Sequence, residues 1–443
     1  MGKEEVEFMP SGLVTCFLND SEVRIIKISP KRITLRVSEK LKEIKKIKAA
    51  FYIFNEYRYE EVKIDNFRVI DEVIEEMWVE YTISTDNELF AKNVINIFRD
   101  YSKYIMLKSF GEEGEFSQDM MGYPAEKDYD FYKYYDDEKK EWMHNLNFKN
   151  SMDIQVELAV KIDNYVLYEE YLKRDINSFK EYYYKKNYLY DSCFFKKEID
   201  RVYIGNEFCH NLFPKKELLI DMFKKAVKEN LEITLCFTYL RENFIEENRD
   251  ILERVYNLCV KENKKIEIVI NDWGMLELIK DKDKYFKPVL GVLLNKRKKD
   301  PRYIYKKGYK KNKELMGENS LNSSMFSRFL KEYNIERYEY ESCGYKIKIA
   351  EGKHSLQLPF YVTNVSQYCP LNAVCKNGVR GKQELVKCCP KYCKDYVFMY
   401  PKHLKMIGRY NSLFSFDDTL LKDEKKLKEY IDEGINRIIL NFI

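Results

Sequence analysis

The cysteines in the last quarter of the chain are the residues whose type and spacing most clearly predict chemistry. Five of the eleven cysteines fall within twenty-five residues, at Cys369, Cys375, Cys388, Cys389 and Cys393. Disulfides are rare in reducing compartments, where closely spaced thiols usually bind a metal or serve redox chemistry. The pattern therefore predicts either a zinc site or an iron–sulfur cluster, since both use thiolate ligands. Five other cysteines occur singly on apolar segments and are expected to be buried and unreactive: Cys16, Cys193, Cys236, Cys259 and Cys343.

The composition is that of a globular protein with two or three domains. The chain has 443 residues, of which 45% are hydrophobic, so each domain can bury a core of its own. Its 77 basic and 73 acidic residues leave a net charge of only +4, so any binding of nucleic acid must depend on local charge. The N-terminus is charged, and no apolar run is long enough to span a membrane. We therefore predict a cytoplasmic protein with no membrane contact.

Residues 1–110 are predicted to form a small β-barrel domain. Short segments rich in Ile, Val, Tyr and Phe alternate there with charged turns, which is typical of an antiparallel sheet or barrel. The strand candidates are residues 23–28, 32–37, 49–55, 60–67 and 77–84. A helix over residues 86–104 is predicted to cover the barrel. Its expected buried face consists of Leu89, Phe90, Val94, Ile95 and Phe98.

This N-terminal region resembles the PilZ-type domain, a family whose members bind cyclic dinucleotides. The resemblance rests on the order of the elements and on the stretch from Ile26 to Val37. That family binds its ligand through two arginines before the barrel and through an acid, a serine and a glycine in the first strand. Here only the serine is kept, as Ser29. The departure favours contact with a protein over nucleotide binding.

Residues 111–197 are predicted as a connector that is partly helical and rich in tyrosine and charged residues. From residue 198 onward, strands and helices alternate, which predicts an α/β fold with a TIM-like (β/α)8 barrel. The eight strand candidates are residues 201–206, 232–238, 265–271, 289–294, 337–341, 356–363, 405–409 and 437–441. Helices are predicted over residues 214–228, 242–262 and 420–434. Residues 345–350 look like an additional strand, so we expect a distorted barrel.

Polar residues follow several of these strands, at the end where a TIM-like barrel carries its active site. Cys209 and His210 follow the first candidate strand, Asn271 and Asp272 follow the third, and Asn295 follows the fourth. Because the cysteine-rich segment follows the sixth strand, the fold should bring it towards Cys209. Asp272 is expected either to cap the following helix or to face the cavity. His210 is expected to tune a metal site, to move protons, or to have a plain structural role.

The segment between Lys296 and Lys313 is strongly basic. It contains ten basic residues and one acidic residue, with tyrosines interleaved. Such a segment can neutralise phosphates and stack bases, so we predict that it binds RNA; a solvated loop is the alternative. The sequence contains no Ser–His–Asp order, no zinc-protease motif and no phosphate-binding glycine loop. The sequence therefore shows no recognisable set of catalytic residues for hydrolysis.

Residues 198–443 resemble the collagenase-like (U-32 type) peptidase family. The resemblance rests on four segments with the sequences VYIGNEFC, VINDWG, GVLLN and LPFY, which begin at Val202, Val269, Gly291 and Leu358, and on Cys369-x5-Cys375. It is greatest for the accessory proteins of oxygen-independent ubiquinone hydroxylation, and other relatives hydroxylate ribosomal or transfer RNA. In that family a TIM-like barrel holds a 4Fe-4S cluster through four cysteines. One of them follows the first strand and three follow the sixth.

The resemblance implies a ligand set and a cofactor for this chain. The implied ligands of a 4Fe-4S cluster are Cys209, Cys375, Cys389 and Cys393, and zinc is the alternative metal. Cys388 is the alternative to Cys389, because Cys388 keeps the family's spacing from Cys375 and Cys389 keeps the spacing to Cys393. Cys369 matches a family cysteine that is not usually a ligand.

The motifs and the resemblance together predict an iron–sulfur protein that takes part in oxygen-independent hydroxylation or in the modification of RNA or a small molecule. The predicted catalytic residues are Asn271, Asp272, Asn295 and His210. The resemblance also implies a partner protein of the same family. Two alternatives stay open, a peptidase, as the family name implies, and a non-enzymatic sensor that binds a cyclic dinucleotide or a protein.

Overall fold

The computed structural model divides the chain into two compact units. It describes residues 13–53, 58–75, 78–110, 130–144, 155–190, 192–299, 301, 313–378, 382–400 and 404–443, with the backbone alone for 103–110 and 193. The first unit takes in the described residues up to Tyr134 and two short later segments, and the second takes in most of the chain from Tyr135 onward. Among the described helices, none is both long enough and apolar enough to cross a membrane.

The first unit is an antiparallel sheet of seven strands. The strands are β1 (Val14–Leu18), β2 (Ser21–Ser29), β3 (Arg32–Val37), β4 (Ile47–Ile53), β5 (Arg58–Lys63), β6 (Phe67–Ile74) and β7 (Val79–Thr85). They lie in the order β5-β4-β1-β2-β3-β7-β6. Alternate residues of β7 are buried, as expected for a strand with one face on a core. The predicted small β domain at the N-terminus is confirmed.

Helix α1 (Glu88–Phe110) packs onto the core of this sheet. The side-chain oxygen of Asn87 accepts a hydrogen bond from the Phe90 N–H (2.9 Å) and so caps its first turn. Phe90, Val94 and Ile97 are buried at the i, i+4, i+7 spacing of one helix face. The predicted face was wrong in part, since Leu89 and Ile95 lie off this stripe and are exposed.

The second unit contains a closed barrel of eight parallel strands. The remaining strands of the chain are β8 (Asp130–Phe131), β9 (Glu157–Ile162), β10 (Arg201–Gly205), β11 (Glu232–Cys236), β12 (Ile266–Ile270), β13 (Phe286–Leu290), β14 (Arg337–Glu341), β15 (His354–Val365), β16 (Tyr396–Met399), β17 (Met406–Arg409), β18 (Ser412–Phe416) and β19 (Ile435–Asn441). Strands β9 to β15 pair in order, and β19 closes the ring between β15 and β9. The predicted TIM-like α/β fold is confirmed.

Helices follow most of the barrel strands. The described helices after α1 are α2 (Tyr132–His144), α3 (Tyr165–Lys173), α4 (Ile176–Lys186), α5 (Lys216–Lys228), α6 (Ile245–Glu262), α7 (Trp273–Ile279), α8 (Lys313–Gly317), α9 (Ser324–Glu332), α10 (Pro370–Asn377), α11 (Thr419–Lys422) and α12 (Glu424–Asp432). The buried residues of α5 are Leu219, Met222, Phe223 and Ala226, the i, i+3, i+4, i+7 spacing of an amphipathic helix.

The barrel begins earlier in the chain than the sequence predicts. Its first strand, β9, lies inside the segment 111–197 that we predicted as a connector. The seventh strand candidate, residues 405–409, is not a barrel strand, because β17 pairs antiparallel with β18, and β18 pairs antiparallel with β15. Residues 345–350, expected as an extra strand, form none. The barrel is completed by β9 and not by the hairpin strand.

The interior of the barrel is layered, as β9 illustrates. Glu157, Ala159 and Lys161 point to the same side of the strand because side chains alternate with a period of two. Ala159 belongs to an apolar cluster with residues of five other barrel strands, Tyr203, Cys236, Val269, Val289 and Ile439. Polar layers therefore lie on both sides of an apolar layer.

The polar layer at the amino ends of the strands is ionic, and we call it the lower layer. Its members are Glu157, Arg201, Glu267, Arg337 and Arg437. Arg437 is 1% exposed; it donates to Glu157 (2.7 Å) and, through both terminal nitrogens, to Glu267 (2.6 and 3.0 Å). Burial opposes ionisation of Glu267, but Arg437 and Arg201 outweigh it and lower the Glu267 pKa to about 2.

Candidate functional site at the carboxyl end of the barrel

Four cysteine thiols from two loops lie near each other at the carboxyl end of the barrel. Cys209 follows β10, and the other three, Cys369, Cys389 and Cys393, follow β15. Burial raises the pKa of the Cys209 thiol well above its usual range, and the other three thiols raise it further. Burial also raises the pKa of Cys393 to about 12, although the Arg409 guanidinium opposes this shift. The four side chains, which we call the thiol group, are thus within electrostatic range of each other.

The position of Cys209 is set by the turn after β10. The Asn206 side-chain oxygen accepts hydrogen bonds from the backbone N–H groups of Phe208 (2.9 Å) and Cys209 (2.8 Å). Gly205 precedes this turn with a φ of +117°, and a Cβ there would lie 2.3 Å from the backbone oxygen of Cys236. Only glycine can make this approach, so the turn that carries Cys209 is fixed against the neighbouring strand.

Backbone contacts also hold the thiols that follow β15. Cys369 is the N-cap of α10, where its sulfur accepts from the N–H of Asn372 (3.4 Å) and its S–H donates to the backbone oxygen of Tyr410 (3.2 Å). The Cys389 sulfur accepts from the N–H of Lys391 (3.3 Å), a residue with a left-handed backbone (φ +62°). Local turns and a helix start therefore aim these side chains.

The cysteine-rich segment contains two further cysteines, Cys375 within α10 and Cys388. Cys375 is six residues beyond Cys369, which corresponds to roughly 9 Å along the axis of α10. Cys388 is exposed. The structure thus brings Cys369 near Cys209, whereas the family resemblance implied Cys375 as a ligand and not Cys369. In the part of the chain that is described, no three or more His, Cys, Asp or Glu side chains are already spaced to hold a metal ion.

His210 lies next to the thiol group, between aromatic rings. Its ring stacks on Phe244, with centroids 4.5 Å apart and planes at 7°, and meets Tyr239 edge to face at 5.4 Å. Burial and then the Arg241 guanidinium lower the His210 pKa to about 4. The imidazole is therefore neutral near pH 7. It lines a small cavity of about 30 Å³ together with Cys209.

A larger cavity of about 630 Å³, which we call the mouth cavity, lies at the carboxyl ends of the barrel strands. It is lined by Asn271 and Asn295, two of the predicted site residues. Tyr239 and Gln367 line it as well, and both also line the small cavity at the thiol group. The Tyr239 hydroxyl donates to the backbone oxygen of Gln367 (3.0 Å), which ties the two residues together. A shared wall therefore separates the mouth cavity from the thiol group.

Asn271 is fixed by the strands on either side of it. Its amide nitrogen donates to the backbone oxygen of Phe237 (2.9 Å), and its oxygen accepts from the N–H of Leu293 (3.2 Å). A Cβ on Gly291 would lie 2.2 Å from that oxygen, so glycine is needed for this approach. Asn295 is 4% exposed. Both asparagines can present polar atoms to a ligand from rigid positions.

The sequence left two roles open for Asp272, a helix cap or a residue that faces the cavity. In the structure Asp272 is the cap of α7. One carboxylate oxygen accepts from the N–H of Met275 (2.9 Å) in the first turn of α7, and the other accepts from the N–H of Leu240. Asp272 does not line the mouth cavity. A carboxylate whose two oxygens both bind backbone N–H groups stabilises the loop and the helix start.

Five polar residues that sequence reasoning missed form a second polar layer inside the barrel, the upper layer: Lys161, Glu207, Glu339, Gln357 and Asn441. Lys161 forms an ion pair with Glu207 and donates to the side-chain oxygen of Gln357 (2.9 Å). Gln357 in turn donates to Glu339 (2.6 Å), and Asn441 donates to Gln357 (3.1 Å). Glu207 is the one member with a sequence signal, because it lies two residues before Cys209.

Glu339 is the member of the upper layer whose ionisation is most perturbed. Burial and then the Glu207 carboxylate raise the pKa of Glu339 to about 8, and Lys161 only partly opposes them. One Glu339 oxygen, Oε1, is buried without a hydrogen-bond partner among the described residues. Its surroundings therefore favour the protonated form of this carboxyl group.

Two further predictions from the sequence concern Ser29 and the basic segment from Lys296 to Lys313. The Ser29 hydroxyl accepts from the Arg32 N–H (3.1 Å) and donates to the Arg32 backbone oxygen (3.3 Å), so it stabilises the turn between β2 and β3. Of the basic segment from Lys296 to Lys313, residues 300 and 302–312 lie outside the described part of the chain.

Comparisons with known proteins add little to this geometry. No protein-family model matches the chain, and no curated protein matches it. Among solved structures, the crystal structure of an uncharacterized Legionella protein aligns with 23% of this chain and 99% of its own, at 18% sequence identity and a TM-score of 0.17. A likeness at that score carries no argument about fold or function.

Proposed function

We propose that this chain is an iron–sulfur protein with a 4Fe-4S cluster beside a substrate cavity, and that it takes part in oxygen-independent hydroxylation or in the modification of RNA or a small molecule. The observation that carries the proposal is the meeting of four thiols from two separate loops, one wall away from a cavity lined with amide side chains. Four cysteine thiolates are the ligand set of a cubane cluster.

The proposed ligands are Cys209, Cys389 and Cys393, with either Cys369 or Cys375 as the fourth. The proximity of Cys369 to the other thiols supports it, and the family resemblance supports Cys375. Because burial raises the pKa of the Cys209 and Cys393 thiols, both are protonated on their own. Bound metal deprotonates a coordinating thiol, so loading this site would release protons.

Such a cluster supplies single electrons or an iron site for an oxygen-bearing donor. The residues of the chain would orient the substrate and separate it from the thiol side. Asn271 and Asn295 offer hydrogen bonds in the mouth cavity, while Tyr239 forms part of the shared wall. A neutral His210 shields the thiols and adds no positive charge beside them. Zinc would use the same thiolates, so metal identity has to be measured.

The first test is anaerobic purification followed by an absorption spectrum and counts of iron and acid-labile sulfide. We expect about four of each per chain. Alanine at Cys209, Cys389 or Cys393 should remove the visible absorption, whereas Cys388→Ala is the matched control, since it changes an exposed neighbouring thiol. Zinc without sulfide in the wild-type protein would overturn the cluster.

The fourth ligand and the reaction need separate measurements. Comparing Cys369→Ala with Cys375→Ala decides the ligand, because only one of the two should abolish the spectrum. For the reaction, nucleosides and quinones from a deletion strain should lack one oxygen atom that wild-type protein restores and Cys209→Ala does not. Release of peptides from casein by the purified protein would favour the peptidase alternative.

A further inference from the structure

The mouth cavity has an unbalanced charge. Three of its lining residues are cationic, Lys296, Arg297 and Lys299. None of the described lining residues is Asp or Glu. The rest of the polar lining is neutral and consists of amides, hydroxyls and backbone groups. A cavity of this composition attracts negative charge, because field lines concentrate in a concave site with walls of low dielectric constant.

Glu341 holds two of these cations in place, one through its carboxylate and one through its backbone oxygen. One oxygen of Glu341 accepts from the Val362 N–H (2.7 Å), and its other oxygen forms an ion pair with Lys299. Arg297 donates to the backbone oxygen of Glu341 and to the Cys343 sulfur (2.9 Å). Both cations are therefore held in place at the cavity. Lys299 is paired with the Glu341 carboxylate, whereas Arg297 is held by a backbone oxygen and a sulfur.

The third cation, Lys296, is available to bind a ligand. Lys296 is exposed, and its ammonium group forms no ion pair with any residue that the structure describes. The acid after β18, Asp417, accepts hydrogen bonds from Ser342 and from the Gly344 N–H and does not line the cavity. Among the described residues, three cations line the cavity and Glu341 is paired with one of them, Lys299, so positive charge is left that a ligand can neutralise.

We propose that the mouth cavity binds an organic anion with two negative charges, either a phosphate ester or a dicarboxylate, through Lys296, Arg297 and Lys299. Its volume of about 630 Å³ suits a small organic molecule. The uncharged part of the ligand would contact Tyr239 and the Asn271 amide, which also line the cavity. This inference names the substrate class of the proposed function, and it rests on that function only for calling the bound molecule a substrate.

Four matched probes test it by calorimetric titration of the full chain. Phenyl phosphate and phthalate carry two charges, benzoate carries one and benzamide carries none. We expect at least one dianion to bind about ten-fold more tightly than benzoate, and its affinity to fall as salt is raised. The better dianion identifies the source as a phosphate or a dicarboxylate. Binding of benzamide as tight as that of both dianions overturns the proposal.

Neighbouring lysines provide the variant and its control. Lys296→Gln should weaken binding of the dianion about five-fold, and Lys299→Gln about ten-fold or more, since its charge is more deeply buried. Lys298→Gln is the control, because Lys298 is exposed and does not line the cavity. Equal affinities for Lys296→Gln, Lys298→Gln and the wild type contradict the proposed contact.

The titrations, together with the counts of iron and sulfide, show whether the anion site and the proposed cluster stand or fail separately. If iron and sulfide are absent but the dianion still binds with the predicted dependence on Lys296, the cluster fails and the anion site stands. If the cluster is present and no dianion binds, the anion site fails alone.

Discussion

The two polar layers inside the barrel contain similar groups, but they shift the pKa of a buried glutamate in opposite directions. In the lower layer, Arg437 and its neighbours hold Glu267 ionised, with a pKa lowered to about 2. In the upper layer, Lys161 is already paired with Glu207, and the pKa of Glu339 is raised to about 8. The lower layer has an excess of cations, whereas the upper layer has one cation for two carboxyl groups.

This difference assigns separate tasks to the two ends of the barrel. A fully paired ionic layer fixes the arrangement of the strands, because each charge would be costly to bury without its partners. A carboxyl group with a raised pKa, one of whose oxygens has no hydrogen-bond partner among the described residues, adds little to such fixation. It lies at the end of the barrel that carries the thiol group and the mouth cavity, where perturbed titration is typical of functional groups.

The largest expected effect is from Arg437→Met. The change keeps similar volume but leaves Glu157 and Glu267 without their main partner, which should cost about 3–5 kcal/mol of unfolding free energy. Urea unfolding measures it. Arg254→Met is the control, because Arg254 forms an exposed pair with Asp250, and it should cost less than about 1 kcal/mol. Similar costs for the two variants would remove the structural role of the lower layer.

The two layers should respond to pH in opposite directions. Glu267 contributes stability that is present above its usual pKa of 4.5 and is lost as pH falls through about 2. Glu339, with a raised pKa, contributes stability that is present below about pH 4.5 and is lost as pH rises through about 8. As pH rises from about 5 to 8, Glu339→Gln should therefore gain stability relative to the wild type, because the variant lacks this contribution.

Melting temperatures across this range provide the measurement. Glu336→Gln serves as the control, because Glu336 is an exposed carboxylate three residues before Glu339. It should leave the pH dependence of the wild type intact. Identical pH profiles for Glu339→Gln and the wild type would mean that Glu339 is ionised like any exposed glutamate.

The smallest expected effect is at Asp272. Asp272→Ala removes the helix cap and should cost about 1 kcal/mol or slightly more. Asp272→Asn keeps the cap on Met275 but loses an acceptor for the Leu240 N–H, so it too should cost about 1 kcal/mol. Both variants should still complement a deletion strain if they fold. Lost complementation at unchanged stability would return Asp272 to a role in the cavity.

Sequence periodicity was enough to find seven of the eight barrel strands, most of which are short, largely apolar segments followed by turns or helices. It missed β9, whose Lys161 is buried only because Glu207 and Gln357, distant in sequence, meet its ammonium group. Sequence periodicity also predicted residues 405–409 wrongly as a barrel strand. The local pattern of β17 is that of a barrel strand, and only its antiparallel partner β18 shows that it belongs to a hairpin.

For the candidate site as well, the sequence predicted which segments come together but not their detailed contacts. Spacing and chain order brought Cys209 towards the cysteine-rich segment, and the strand ends brought Asn271 and Asn295 to the mouth cavity. The placement of Cys369 beside Cys209 was not predictable, since it depends on how α10 begins. The role of Glu339 was also invisible, because an isolated glutamate in a strand gives no sign of a raised pKa.

The last barrel strand, β19, sets the order in which the barrel can assemble. Arg437 on β19 binds Glu157 on β9, which lies 280 residues earlier in the chain. Contacts over such a separation form late, because the loop must close before the contact repays its entropy. Until β19 inserts, β9 and β15 are open strand edges, and both acids of the lower layer lack their main cation. A barrel that stalls at that stage exposes two edges that invite pairing between chains, so misassembly would begin at this seam.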